Sequence, residues 1–136
     1  MAKVRKVDYF VVRAKNRAGE GARMLKALKK HDVNLLALTA FPNDGGAQVD
    51  FVPEDTADFL KAAKALEWEV SPRKIGFLAQ GKDKAGALAG LMNKLGKAGI
   101  NVTAIDGISA GKKRFAAIFW VLPGDVAKTA KVLDAK

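Results

Sequence analysis

Two short polar turns carry the residues best suited to hold a ligand. The first is Asn16-Arg17-Ala18-Gly19 and the second is Asp83-Lys84-Ala85-Gly86. Each stands just before a helical stripe of apolar residues. A helix start presents unpaired backbone N–H groups to an anion, and glycine lets a ligand approach the backbone closely. Asp83 can accept hydrogen bonds from an ammonium group, and Asn16 can both accept and donate. The plainer reading of the same residues is a turn with a capping Asp or Asn, which needs no ligand. The other chemistry-bearing residues are few. His31 is the single histidine and falls at a helix end, where a cation suits the carbonyl dipoles. The absence of cysteine excludes disulfides, thiolate metal sites and cysteine nucleophiles. There is no Ser/His/Asp set, no paired carboxylates at a recognisable spacing and no metal cluster. The expectation is a protein that is not an enzyme, with no catalytic residues, metal or cofactor.

The two turns belong to a duplication. Residues 16–34 and 83–101 align at a constant offset of 67, pairing Gly19 with Gly86, Leu28 with Leu95 and Asn34 with Asn101. Asp32 pairs with the helix terminator Gly99, and both tolerate the left-handed conformation that ends helices. A repeat this long is a small domain in tandem, since solenoid repeats run only about 20–50 residues. Units over 1–71 and 74–136 follow.

Val7–Ala14, rich in aromatic and β-branched residues, reads as a strand, followed by a helix over Gly19–Lys30. Val33–Phe41 and Ala47–Val52 read as strands joined through Asp44-Gly45, a strong hairpin signal. A helix over Thr56–Leu66 and a short strand Glu67–Val70 complete a β-α-β-β-α-β unit. The second unit repeats this plan with strands at Ile75–Gln80, Asn101–Ser109 and Arg114–Leu122. Its hairpin is three residues longer, and the chain stops before a fourth strand. The fold class is α+β: two ferredoxin-like units, each an antiparallel sheet with helices on one face, the second without its last strand.

The net charge is +10 and apolar residues make up 49% of the chain. The composition supports a core and argues against disorder. No stretch of about 18 apolar residues is present, and the first ten residues are too charged for a signal peptide, so the expected location is cytoplasmic. The lysines spread over helix faces opposite the apolar stripes, which favours a solvated surface over a nucleic-acid footprint.

The two units resemble the ACT domain, a small-molecule regulatory module. The resemblance rests on Asp83-Lys84-Ala85-Gly86-Ala87-Leu88 with Gly99-Ile100-Asn101. It is repeated less closely in Asn16-Arg17-Ala18-Gly19 with Val33-Asn34. It implies a stand-alone tandem ACT protein that binds an amino acid or similar ligand where a strand–helix loop faces a neighbouring unit. Asp83, Lys84, Ala85 and Gly86 are the expected principal site. Asn16, Ala18 and Gly19 form the lesser one, and Asn34 and Asn101 reach a ligand from a neighbouring unit. Two other readings stand beside it. One is an interaction module without a ligand. The other is an RNA-binding ferredoxin-like protein, for which Lys113-Arg114-Phe115-Ala116-Ala117-Ile118-Phe119-Trp120 is a partial match lacking the central stacking aromatic.

The missing strand leaves one side of Ile75–Gln80 open. Exposed edges are liabilities, so the expectation is that Glu67–Val70 pairs with both first strands, or that another chain donates a strand. The apolar run Phe115–Leu122 implies a covered second face, and with it a homodimer or larger assembly.

Overall fold

Alternating apolar residues build the strands of this protein, and apolar positions at helical spacing close each core. The structure, a computed structural model, describes residues 2–136. Met1, with which the expected first unit begins, lies outside the described residues. The element order is β1 (Lys3–Ala14), α1 (Glu20–Lys30), β2 (Leu35–Asn43), β3 (Gly46–Pro53), α2 (Thr56–Ala65), β4 (Lys74–Lys82), α3 (Ala87–Lys97), β5 (Val102–Gly111), β6 (Arg114–Val121) and α4 (Val126–Val132). The class is α+β with antiparallel ferredoxin-like units, as the sequence implies. The chain divides into two compact units, Asp8–Lys74 and residues 2–7 with Ile75–Lys136, so the division cuts through β1.

In the unit Asp8–Lys74 the strands run in the order β2-β3-β1. Phe10 and Val12 of β1 pair with Phe51 and Val49 of β3. Together with Met24 and Leu28 of α1 and Phe59, Ala62 and Ala63 of α2 they form the core. Phe59 stacks on Phe10, with centroids 5.3 Å apart. Asp44 and Gly45, at φ 51 and 76, make a two-residue turn between β2 and β3. Positive φ at both central residues matches the twist of the flanking strands.

The other unit runs β1-β4-β6-β5. Phe77 lies opposite Phe119 in the β4–β6 register, as Phe10 lies opposite Phe51 in the first unit, and the two rings stack at 5.3 Å. Leu91, Leu95 and Ile100 close the core from above. The hairpin turn here is also two residues, Lys112-Lys113, both at positive φ. The hairpin is longer by one residue and not three: Phe115 stands 68 places after Ala47, so one extra residue sits in β5, whose register slips at Val102/Ala104 and Ser109/Gly111, and the other two follow β6.

All four α-helices end alike. After α3, Gly99 (φ 73) donates its N–H to Gly96 O and Ile100 to Leu95 O. After α1, Asp32 (φ 57) donates to Lys29 O and Val33 to Leu28 O. Glu67 and Asp134 take the left-handed position after α2 and α4. This pair of bonds satisfies carbonyls that the helix end leaves free.

Two expectations are corrected. Glu67–Val70 is not a strand: Glu67 terminates α2 at φ 59, and the segment keeps a single bridge, Val70 to Val12. Nor does β1 begin at Val7. It begins at Lys3, and its first residues take the place beside β4 that the second unit needs for a fourth strand. Val4 is 8% exposed and packs in that unit's core with Phe77 and Ala79. The open side of β4 is therefore filled from within the chain.

Candidate ligand-binding site

The loop Lys15–Gly19 leaves β1 and enters α1 through Gly19, at φ 88, a conformation that costs glycine little. Glu20 follows and is buried. Its carboxylate accepts hydrogen bonds from Arg23 Nε (2.7 Å), Arg23 Nη2 (3.1 Å) and the Lys15 N–H (3.2 Å), with Arg17 Nη2 at 3.9 Å. The Arg23 hydrogen bonds, then that from Lys15, hold its pKa down to about 2. Beside this loop a cavity of about 140 Å³ opens between α1 and the sheet. Its body is Met24, Leu25, Leu38, Val49 and Phe51, and its mouth carries Asn16, Arg17 and Glu20. The sequence reading passed over Glu20. The signal was its place directly after the turn with Arg23 three residues on, a spacing that puts the pair on one helix face.

The equivalent loop of the other unit enters α3 through Gly86, at φ 77. Asp83 is exposed. Its carboxylate accepts from Ser109 Oγ (2.8 Å) and its N–H donates to Lys113 O (2.8 Å), so the β5–β6 hairpin steadies the loop. Lys84 and Gly86 line a cavity of about 810 Å³, whereas Asp83 and Ala85 stand off its wall.

Asn34 and Asn101 do not join these loops within their own units. Each follows the C-terminal end of a helix 11 residues long, about 16 Å from the glycine that starts it. Asn34 instead donates to Glu54 Oε2 (2.8 Å), and its carbonyl accepts the Glu54 N–H. Asn101 is exposed. Ala18 lies beside Gly19 and is exposed.

Phe115, Phe119 and Trp120 are 7%, 0% and 6% exposed. None offers the open ring face on which a nucleic-acid base stacks. Ile118, on the face opposite Phe119, is buried as well. Apart from half-buried Ala116 and exposed Leu122 the run is buried within one chain, and that burial does not itself require a second copy. His31 caps the end of α1 and is exposed. Among the described residues no group of His, Asp and Glu is placed to hold a metal. No helix among them is long and apolar enough to cross a membrane.

Solved structures share this architecture. A protein from Bacteroides thetaiotaomicron matches with a TM-score of 0.80 over 98% of this chain and 88% of its own, at 20% identity. The ligand-free regulatory subunit of aspartate kinase from Thermus thermophilus matches at 0.63, with 13% identity, over 98% and 94%. That of Thermus flavus matches at 0.59, with 16% identity, over 98% and 94%. No family model matches the sequence, and no curated protein matches it. At these identities the likeness is one of fold. The fold is the tandem ACT-type arrangement that the two turn–helix–turn stretches resemble.

Proposed function

We propose that this chain is a non-catalytic regulatory protein that binds a small ligand, an amino acid, at the strand–helix loops of its ACT-type units. One observation carries the reading: in each unit a cavity opens beside that loop, where a left-handed glycine starts the helix. The smaller cavity suits an amino acid. Arg17 meets the carboxylate, Glu20 and Asn16 meet the ammonium, and the side chain enters among Met24, Leu38 and Phe51. Ala18 and Gly19 keep the loop backbone open to the ligand. The likeness to regulatory subunits of aspartate kinase supports a role in sensing. In the second unit Asp83–Gly86 is the corresponding loop, with Lys84 and Gly86 on the cavity wall. Asn34 and Asn101 contribute only where a neighbouring unit brings them to a loop. A homodimer or larger assembly belongs to this reading, because the outer strands carry exposed Leu38, Phe41, Ile105 and Ile108.

A thermal-shift screen against the twenty amino acids tests the proposal, since a ligand that binds only the folded state raises its melting temperature. Isothermal titration of the best hit then compares variants. A charge-assisted hydrogen bond is worth roughly 1.5–3 kcal/mol, so Arg17→Ala lowers affinity about tenfold to a hundredfold. Asp83→Ala distinguishes the second loop in the same assay. A screen in which no amino acid stabilises the protein refutes the reading.

A further inference from the structure

The larger cavity has a charge that amino-acid binding does not call for. Lys3, Lys82, Lys84, Lys94 and Arg114 all line it, and no Asp or Glu does. These residues come from β1, β4, the following loop, α3 and β6, so the fold gathers cations that are scattered along the sequence. Lys82 and Arg114 lie directly opposite each other in the β4–β6 register. Like charges so placed are destabilising unless a counter-charge meets them. Among the described residues Lys3, Lys82, Lys84 and Arg114 form no ion pair.

The duplicated unit keeps only part of this arrangement, with Lys15 and Arg17 standing at the places of Lys82 and Lys84. Gly81 pairs with Phe115 as Ala14 pairs with Ala47, so Arg114 stands where the first unit has Gly46. At the repeat offset Lys94 stands where the first unit has Ala27. The cavity's shape also depends on glycines. A Cβ at Gly81 would come within 2.9 Å of the Phe115 ring, while at Gly86 or Gly90 it would project into open space. Gly90 interrupts the interior of α3, where glycine weakens a helix.

We propose that this cavity binds a small multiply charged anion of the phosphate type, such as a diphosphate group. A volume of about 810 Å³ exceeds the need of one phosphate, and lies in the range of small-molecule sites. Five cations exceed the need of a single carboxylate. Lysine and arginine donors suit phosphate oxygens as point charges and as a planar fork respectively. The anion takes the cavity on whose wall Lys84 and Gly86 of the second loop stand, so the amino-acid reading then rests on the first unit's cavity, which shares no residue with this one.

The test uses the full chain, with inorganic pyrophosphate as the probe at physiological ionic strength and sodium chloride of matched ionic strength as the control. Pyrophosphate raises the melting temperature and chloride does not. In isothermal titration Lys82→Gln with Arg114→Gln weakens pyrophosphate about tenfold or more. Lys26→Gln with Lys61→Gln, which removes two cations that do not line the cavity, changes affinity less than about twofold. Without the anion, Lys82→Gln melts no lower than the parent, because it relieves the opposed charges. ATP in place of pyrophosphate shows whether the phosphate group is held free or as part of a nucleotide, and binding of either supports the site. Three results overturn the proposal: no shift with either anion, equal losses in the two double variants, or tighter binding of an RNA oligonucleotide than of both anions. If amino acids stabilise the protein while pyrophosphate does not, the function proposed above survives and this site is removed.

Discussion

Replacing Val4 with alanine tests whether the first residues of β1 complete the second unit. Val4 is 8% exposed and touches a core made almost wholly of residues beyond Ile75. The change removes two methyl-sized groups, about 1.6 kcal/mol of transfer free energy, and leaves a small cavity that adds to it. A loss of about 2 kcal/mol follows. For a chain of 136 residues that is a melting temperature lower by about 6–10 °C. Arg5→Ala, at an exposed position of the same strand, stays within about 0.5 kcal/mol. Hydrogen exchange locates the effect. Protection should fall at Phe77, Leu78 and Ala79 of β4 and hold at Val49 and Phe51 of β3. If Val4→Ala melts within 1–2 °C of the parent, roughly the shift of a neutral surface change, these residues are a loose edge and the argument for a completed sheet fails. Loss of protection at β3 instead would place the strand's contribution in the other unit.

Glu20 gives a pH test. Its folded pKa of about 2 lies below the ordinary value of 4.5, so the stability it contributes is full above about pH 5 and is lost as pH falls toward 2. The melting temperature of the parent should exceed that of Glu20→Gln at neutral pH, and the gap should close across that window; a gap independent of pH would mean that the ionised carboxylate is not what matters. Gly86→Ala addresses the loop itself. An added Cβ meets nothing within 4 Å, but φ is 77, so the variant should lose about 1–2 kcal/mol through backbone strain alone, read as a melting shift without loss of circular-dichroism signal.

What could be read from the sequence is what short-range chemistry decides. The helix stripes, the Asp44-Gly45 turn and the terminator at Gly99 each depend on neighbours a few residues away. The structure keeps the turn, the terminator and most of each stripe, while Leu60 and Met92, read as inward, stand exposed. The duplication supplied a second reading of the same signals, which is why Asp32 was recognisable as a helix end despite its Cβ. Lys112-Lys113 shows the limit. Both residues occupy positive φ, yet lysine announces nothing of the kind, and the turn follows from strand pairing on either side.

The errors and omissions share one cause, which is contact between residues far apart along the chain. Lys3, Arg5 and Lys6 make the start of β1 look like a solvated tail, but Val4 and Val7 between them are buried. The position beside β4 is then taken by residues some seventy places earlier in the chain. With that position filled and Glu67 committed to ending α2, Glu67–Val70 has neither the backbone nor the vacancy to be a strand. The cationic cavity escaped notice for the same reason. Lys3, Lys82, Lys94 and Arg114 read singly as solubilising surface, and each reading is sound until the sheet sets Lys82 against Arg114 and brings β1 alongside. Charge count described the surface correctly and its concentration not at all, since concentration is a property of the strand order β1-β4-β6 and not of composition. A duplicated fold sharpens the point. The same scaffold in the first unit carries Gly46 and Ala27 at the corresponding places and encloses an apolar cavity instead. Two units of one architecture thus carry cavities of different lining, and the difference rests on a few side chains that the shared backbone holds in place.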